Sequence, residues 1–281
     1  MINIITALYC EAQPLILHYQ LKKDSTIHQF QIFQNDEIRL ILTNTGSISA
    51  AVGVTYLHTL YPPSASDILI NIGVCAAMKQ ELTEGSIFLC NKITEQFTNR
   101  CFYPDILFKH PFDEGEVVTC NTVMRKADLR TETEVQRKLF DMEAAGIYQA
   151  AAYFYQPHQI YFLKIISDHG QGGKLSTDKV TGLIQRNMNQ ITSWLQRLNQ
   201  VQIAEKEIFT EEEEVCVKKL SEKLCCSVTM EFKLRQLLQH YKLTQGSFIE
   251  LVKEFSIEAG LPCTMKSKGK IYFEQLKARL L

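Results

Sequence analysis

Three acidic side chains stand where a strand-like run ends or a helix-like run begins. Glu11 comes just after the apolar run 2–8, and Asp168 follows the apolar run 160–166. Glu143 opens a run of small residues that predicts the start of a helix. In an α/β fold, strand carboxyl ends and the helix starts beside them face the crevice where ligands bind. The three carboxylates therefore predict chemistry on a polar small molecule.

Each of these acids also has a structural interpretation. A glutamate in the first turn of a helix complements the helix dipole, which fits both Glu11 and Glu143. Asp168 precedes the glycine-rich segment 169–173 and can accept hydrogen bonds from that loop. The functional interpretation depends on all three acids reaching the same edge of one sheet.

Short apolar runs rich in Ile, Val and Leu alternate with runs of helical periodicity through the first two-thirds of the chain. This alternation predicts an α/β fold, a three-layer α/β/α sandwich with a mixed, mostly parallel central sheet. The predicted strands are 2–8, 38–43, 67–73, 86–91, 116–120 and 160–166, and the predicted helices are 11–21, 47–60, 142–154 and 175–198.

The composition changes after Asn199, where a second domain is predicted to begin. Glutamates crowd the segment 205–215, and helical periodicity follows towards the end of the chain. We therefore expect an α/β domain over residues 1–200 and a small helical domain of unknown role over residues 205–281. The basic patch 266–270 is interpreted as a solvated turn, with a contact to phosphate groups as the alternative.

Bulk properties exclude several classes of partner. The formal net charge of -1 over 281 residues gives no electrostatic attraction to nucleic acid or to a membrane surface, so neither is expected. The sequence has no run of about eighteen apolar residues, which a membrane helix requires. The nine cysteines lack the spacing of a metal site or of a disulfide framework. We expect free thiols, no metal site and a cytoplasmic location.

Several motifs together resemble one enzyme superfamily. The chain is similar to the purine nucleoside phosphorylase/uridine phosphorylase superfamily at residues 70–77, 142–148 and 167–169, and to its methylthioadenosine/S-adenosylhomocysteine nucleosidases in particular. The segments 7–11 and 45–51 fit the same pattern in the expected order. The resemblance covers about two-thirds of the chain, up to residue 198, and the C-terminal helices have no counterpart. It implies a nucleoside phosphorylase-like fold, a small-molecule nucleoside as substrate, no cofactor and a homodimer.

The resemblance implies a role for each acid. Enzymes of this group cleave the bond between ribose C1′ and a base through an oxocarbenium-like state. Asp168 would hydrogen-bond purine N7 and protonate the leaving base, which requires a proton on its carboxyl group. Glu143 would bind the ribose hydroxyls and stabilise positive charge on the sugar, and Glu11 would activate the attacking water. The other implied substrate-site residues are Met142, Ser167, Val123, Met124, Val74, Cys75 and Ala76.

Hydrolysis is favoured over phosphorolysis by the residues that the chain lacks. A phosphate dianion needs several charge-assisted donors, usually arginines. Asn71 stands where similar phosphorylases carry an arginine, and Val74 stands where they carry a phosphate-binding serine. After the Ser-Asp-His motif come Lys174 and Lys179 but no arginine before residue 186. A glutamate at position 11 would also repel phosphate.

Two departures from the family pattern leave the substrate open. The segment 94–116 is shorter than its family counterpart, and Val123 stands where an aromatic ring often stacks on the purine. The leading hypothesis is a purine nucleosidase acting on a 5′-modified adenosine such as methylthioadenosine, S-adenosylhomocysteine or 5′-deoxyadenosine. The alternatives are a phosphate-dependent nucleoside phosphorylase and a nucleoside-binding or regulatory module with reduced catalysis.

Overall fold

The chain divides into two compact units, Met1–Ala204 and Glu205–Leu281. The first unit is an α/β structure and the second is helical. The structure, a computed structural model, describes residues 1–125, 138–171, 175–201, 209–263 and 265–280.

One sheet of ten strands, counted over the described residues, forms the centre of the first unit. The strands are β1 (Ile2–Thr6), β2 (Lys22–Lys23), β3 (Gln31–Gln34), β4 (Ile38–Leu42), β5 (Ile68–Ala77), β6 (Ile87–Glu95), β7 (Cys101–Phe102), β8 (Asp113–Thr119), β9 (Lys138–Asp141) and β10 (Ile160–Asp168). Their order is β10-β6-β8-β9-β5-β1-β4-β3-β2, and β7 pairs with β6. All six strands predicted from the sequence are present.

Four helices cover the two faces of this sheet. They are α1 (Tyr9–His18), α2 (Ser47–Leu60), α3 (Ala144–Ala151) and α4 (Thr177–Val201), and a short 3-10 helix spans Pro157–Gln159. Adjacent strand residues point to opposite faces, so Ile4 packs in the core with α1 and α4 whereas Ile5 packs with α2 and α3. The predicted three-layer α/β/α sandwich is confirmed.

The sheet is mixed, and part of it closes on itself. Parallel pairs join β1 to β4 and β5, β5 to β10, and β8 to β6 and β9. Antiparallel pairs join β10 to β6 and β9 to β5, which closes a ring of five strands through β5, β10, β6, β8 and β9. The carboxyl ends of β1, β5 and β10 meet at one edge, because β5 lies between β1 and β10 and pairs with both of them in parallel.

The strand β9 was not predicted. Residues Leu139 and Phe140 immediately before the predicted helix pair with Ala77 and Ala76 of β5, and Val117 and Val118 of β8 lie on their other side. Four residues are too few to show a period of two, so this strand is defined by its long-range partners and not by its own sequence. The helix then begins at Ala144, two residues later than predicted.

The described residues of the second unit form four helices with a core of their own. They are α5 (Glu211–Lys223), α6 (Val228–Gln245), α7 (Ile249–Glu258) and α8 (Lys266–Leu280), and their buried apolar residues form one separate cluster. The sequence interpretation of 266–270 as a turn was wrong, because these residues form the first turns of α8. Gly269 allows α8 to approach Leu224 closely, since a Cβ atom at this position would lie 1.9 Å from the Leu224 carbonyl oxygen. Within the described residues, no helix is long and apolar enough to cross a membrane.

Gly146 determines how closely α3 approaches α2. A Cβ atom at this position would lie 2.1 Å from the Ser47 carbonyl oxygen and 2.6 Å from Ser47 Oγ. We expect Gly146→Ala to lower the free energy of unfolding by roughly 2 kcal/mol, because the two helix starts must separate. Urea denaturation followed by circular dichroism measures this change.

Gly182→Ala is the matched control for this substitution. Gly182 lies within α4, and an added Cβ atom would meet nothing within 4 Å. Alanine there should be neutral or stabilising by about 0.5 kcal/mol, since glycine is a poor helix former. Equal destabilisation by both substitutions would contradict the close contact of α2 with α3.

Candidate functional site

All of the sequence-predicted site residues line one open cavity of about 170 Å³ at the carboxyl edge of the sheet. The predicted residues in its lining are Glu11, Val74, Cys75, Ala76, Val123, Met124, Met142, Glu143, Ser167 and Asp168. The lining residues that sequence reasoning missed are Ala7, Leu8, Thr45, Phe140, Asp141 and Leu175. The three acids are therefore brought to one cavity.

Glu11 is fixed by backbone hydrogen bonds from two segments. It is the third residue of α1, and Oε2 accepts hydrogen bonds at 3.0 Å from the backbone N–H groups of Ala7 and Leu8. Oε1 accepts one at 2.9 Å from Val74 N, next to Gly73, where a Cβ atom would lie only 3.0 Å from Oε1. The carboxylate thus caps its own helix and also faces the cavity. Burial raises its pKa, against the opposing effect of these N–H groups.

Glu143 links the starts of two helices. It is the N-cap residue of α3, and Oε1 accepts a 2.8 Å hydrogen bond from Gly46 N, at the start of α2. Gly46 has φ of 102°, a conformation that glycine adopts without strain. Burial and the nearby Asp141 carboxylate raise the pKa of Glu143 to about 7, although Lys164 and the Gly46 N–H oppose this change.

Asp168 is held at the last position of β10 by both of its carboxylate oxygens. Oδ2 lies 2.8 Å from Ser167 Oγ, and Oδ1 accepts a 2.8 Å hydrogen bond from Gly170 N. Ser167 Oγ also lies 3.0 Å from the Cys75 carbonyl oxygen, so this buried hydroxyl orients the acid relative to β5. Asp168 therefore makes the hydrogen bond to the following loop that its structural interpretation predicts, and it also lines the cavity.

Residues after β8 also contribute to the cavity lining. Met124 is partly buried against Phe140 and Met78, whereas the Val123 side chain is 59% exposed and lies at the rim. The segment 126–137, which follows these residues, lies outside the described residues. So does Lys174, one of the two lysines that follow the Ser-Asp-His motif.

Sequence reasoning also missed a buried ion pair, in which Lys164 binds the cavity-lining Asp141. The Nζ of Lys164 is 2.8 Å from Asp141 Oδ2, and both side chains are almost completely buried. Asp141 Oδ1 accepts a 2.7 Å hydrogen bond from Thr119 Oγ1, and Oδ2 accepts one at 2.8 Å from Ala144 N. Burial opposes the charge of Lys164, but Asp141 and Glu143 outweigh this effect and raise its pKa. The signal for this pair was a lone lysine within an otherwise apolar strand, which requires a buried carboxylate partner.

The described residues contain no metal-binding cluster. No group of three or more histidine, cysteine, aspartate or glutamate side chains there is arranged to hold a metal ion. The nine cysteines are free thiols, and four of them are buried, including Cys75 in the cavity wall. Burial raises the pKa of Cys75 well above its usual value, so this thiol is neutral.

Known proteins match this chain in structure and not in sequence. No protein-family model matches, and no curated protein matches. The 5′-methylthioadenosine nucleosidase of Arabidopsis thaliana is 18% identical, with a TM-score of 0.56 over 70% of this chain and 95% of its own. The S-adenosylhomocysteine nucleosidase of Streptococcus pyogenes is 15% identical, with a TM-score of 0.57 over 70% and 96%. The fold is that of the nucleosidases.

The futalosine hydrolase of Helicobacter pylori shares this fold as well. It is 14% identical, with a TM-score of 0.55 over 70% of this chain and 97% of its own. The predicted nucleoside phosphorylase-like fold is confirmed by these structures. At such identities the likeness shows the fold alone.

The pKa of Glu143 predicts a pH-dependent stability. The ordinary pKa of a glutamate is 4.5, so the folded protein binds this proton more tightly than the unfolded chain does. The resulting contribution to the free energy of unfolding is fully present below pH 4.5 and is lost as the pH rises through about 7. Glu143→Gln removes the titration and keeps an acceptor for Gly46. We expect this variant to gain roughly 2 kcal/mol of unfolding free energy over wild type between about pH 4.5 and about pH 8.

Urea denaturation across this pH range measures the difference. The control is Glu81→Gln, because the Glu81 side chain is 79% exposed and its substitution should leave the pH dependence of wild type unchanged. A Glu143→Gln curve that runs parallel to wild type would contradict the raised pKa.

Proposed function

We propose that the first unit is an N-glycosidase that hydrolyses a purine nucleoside, with 5′-modified adenosines as its substrates. The observation that carries this proposal is the meeting of Glu11, Glu143 and Asp168 at one cavity. Three carboxylates suit a reaction whose transition state places positive charge on a sugar. We place the enzyme in the cytoplasm, where free thiols such as these persist.

The proposed reaction gives the acids different tasks. Asp168 donates a proton to N7 of the purine as the bond from C1′ to the base breaks and its electron pair leaves with the base. Glu143 accepts hydrogen bonds from the ribose hydroxyls and stabilises the cationic sugar. Glu11 takes a proton from the water that attacks C1′, which gives the 5′-modified ribose and the free base as products.

The electrostatics of the cavity favour water over phosphate as the nucleophile. Among the described residues, the lining contains no lysine and no arginine. Lys164 lies beneath the cavity and is bound to Asp141. Asn71, at the position where similar phosphorylases carry arginine, is buried and donates to the Ile5 carbonyl oxygen at 3.0 Å. A phosphate dianion would therefore meet carboxylates without charge-assisted donors.

Release of adenine from methylthioadenosine in phosphate-free buffer tests the proposal. We expect release without phosphate, together with one equivalent of free methylthioribose. Asp168→Asn should lower kcat by about a hundredfold or more, because the amide cannot supply the proton. Asp36→Asn, a substitution of an exposed aspartate in the same unit, is the matched control and should leave kcat unchanged.

Two results would replace the proposal with its alternatives. Turnover only with phosphate, giving methylthioribose 1-phosphate, would make the protein a phosphorylase. Tight nucleoside binding without release of the base, across a panel of purine nucleosides, would make it a binding module.

We also propose a homodimer that covers the exposed apolar face of α2. Ile48 and Val52 lie one turn apart on this helix, 82% and 54% exposed, and Leu8 in the cavity lining is exposed as well. The helix start that precedes them contacts Glu143 through Gly46, so a second copy on this face would adjoin the site. Adjacent exposed apolar side chains are typical of a protein interface.

Light scattering after size-exclusion chromatography tests the dimer. In about 0.5 M salt, which screens surface charge pairs, we expect wild type at twice the chain mass of 32.2 kDa. Ile48→Asp/Val52→Asp should elute with the mass of one chain, since two carboxylates would be buried without partners. Leu17→Asp, at an exposed leucine of α1, should remain dimeric. A monomeric wild type would refute the dimer.

A further inference from the structure

An open groove of about 550 Å³ runs between α6 and α8 of the helical unit. Its floor is apolar and consists of Met230, Leu237 and Phe273. Three lysines line its rim, namely Lys233, Lys270 and Lys277. The surface therefore fits an occupant that combines an apolar side chain with carboxylates.

The positive charge of this groove is only partly compensated. Lys277 pairs with Glu274 at 3.5 Å, at an exposed position. Lys233 and Lys270 form no ion pair with any part of the chain that the structure describes. The groove is well defined, because the close contact of Gly269 with Leu224 fixes α8 at this end.

The first turn of α5 carries the complementary surface. Two of its four glutamates are used within the unit, since Glu213 pairs with Lys242 and Glu214 pairs with Arg235. Glu211 and Glu212 are exposed and form no ion pair with the described residues.

Val215 completes this complementary surface. It lies one helical turn after Glu211 and Glu212 on the same face, and its side chain is 51% exposed. We call these three residues the acidic knob. Its single apolar side chain beside two carboxylates matches the apolar floor and lysine rim of the groove.

The knob of one molecule lies away from the groove of the same molecule. Glu212 and Val215 border a different depression, between α5 and α7, where they lie with Val252 and Ile257 and where Lys219 and Lys253 also line the surface. All four helices share one hydrophobic core, so neither surface can swing towards the other. The charge complementarity can be satisfied only by another molecule.

We propose that the helical unit mediates head-to-tail self-association, in which the acidic knob of one copy occupies the groove between α6 and α8 of a second copy. The contact is heterologous, so each added copy leaves one knob and one groove open and assembly continues into a chain or a ring. This inference does not depend on the proposed nucleosidase activity.

Sedimentation of the full chain across a concentration series, at about 0.05 M and about 0.5 M salt, tests self-association. At low salt we expect the wild-type protein to form assemblies of higher mass than it does at high salt. Lys233→Glu/Lys270→Glu and Glu211→Lys/Glu212→Lys should each abolish this growth, with association weakened at least about tenfold. The fourfold variant that carries all of these changes should regain it, because the reversed charges are again complementary. Lys22→Glu, at an exposed lysine of β2, is the control and should assemble like wild type.

A second experiment tests the direction of the contact with milder changes. Lys233→Gln/Lys270→Gln keeps the knob, and Glu211→Gln/Glu212→Gln keeps the groove. Neither should assemble alone, and an equimolar mixture should regain assembly, because the knobs of one variant fit the grooves of the other. Thermal unfolding shows that each variant is folded. The same mass for wild type and all variants at both salt concentrations would overturn the proposal, as would growth of wild type that the variants retain.

Discussion

The site of this protein depends on one buried ammonium group surrounded by more carboxylates than it can neutralise. Lys164 enters from β10 and binds Asp141 at 2.8 Å, and its charge also acts on Glu11 and Glu143. One buried cation among three buried carboxylates leaves excess negative charge, and this excess contributes to the raised pKa of Glu143. Separate elements have to meet to make this arrangement, namely β9, β10 and the first turns of α1 and α3. Removing the lysine alone would leave Asp141 buried without its partner, which is the costly way to break such a pair.

The parts of the site that the sequence predicted are those with a local signal. The strand from Ile160 to Asp168 is a continuous apolar run that ends in an acid, and the helix Ser47–Leu60 follows a glycine turn. Such boundaries are indicated by residues that are adjacent in the sequence. Parallel strands then bring their carboxyl ends to one edge of the sheet. Glu11 can cap its helix and face the cavity at the same time. Its carboxylate accepts hydrogen bonds from N–H groups at the start of its own helix while it lines the cavity.

The parts that the sequence did not predict depend on distant partners. The strand β9 exists because β5 and β8 lie on either side of it, and four residues carry no period of their own. Lys164 signalled a buried carboxylate, but the choice of Asp141 among many acids depends on how the ring of strands closes. The patch 266–270 is rich in lysine and contains a glycine, which favours a turn, yet its glycine serves the close contact of α8 with Leu224. Tertiary packing decided each of these cases.

Buried carboxylates without enough cations destabilise a fold, so their retention at a cavity has to be explained by what the cavity binds. The backbone compensates part of this cost, since N–H groups from Ala7, Leu8, Val74 and Gly46 donate to Glu11 and Glu143. These donors belong to helix starts and strand ends, so the negative charge is held in fixed positions before any ligand arrives. A substrate that becomes positively charged during its reaction would relieve the imbalance most at the transition state. An anionic second substrate would increase it. The same electrostatic argument therefore favours glycosidic cleavage and disfavours phosphate as the nucleophile, and it rests on charges that the protein places and not on the identity of the base.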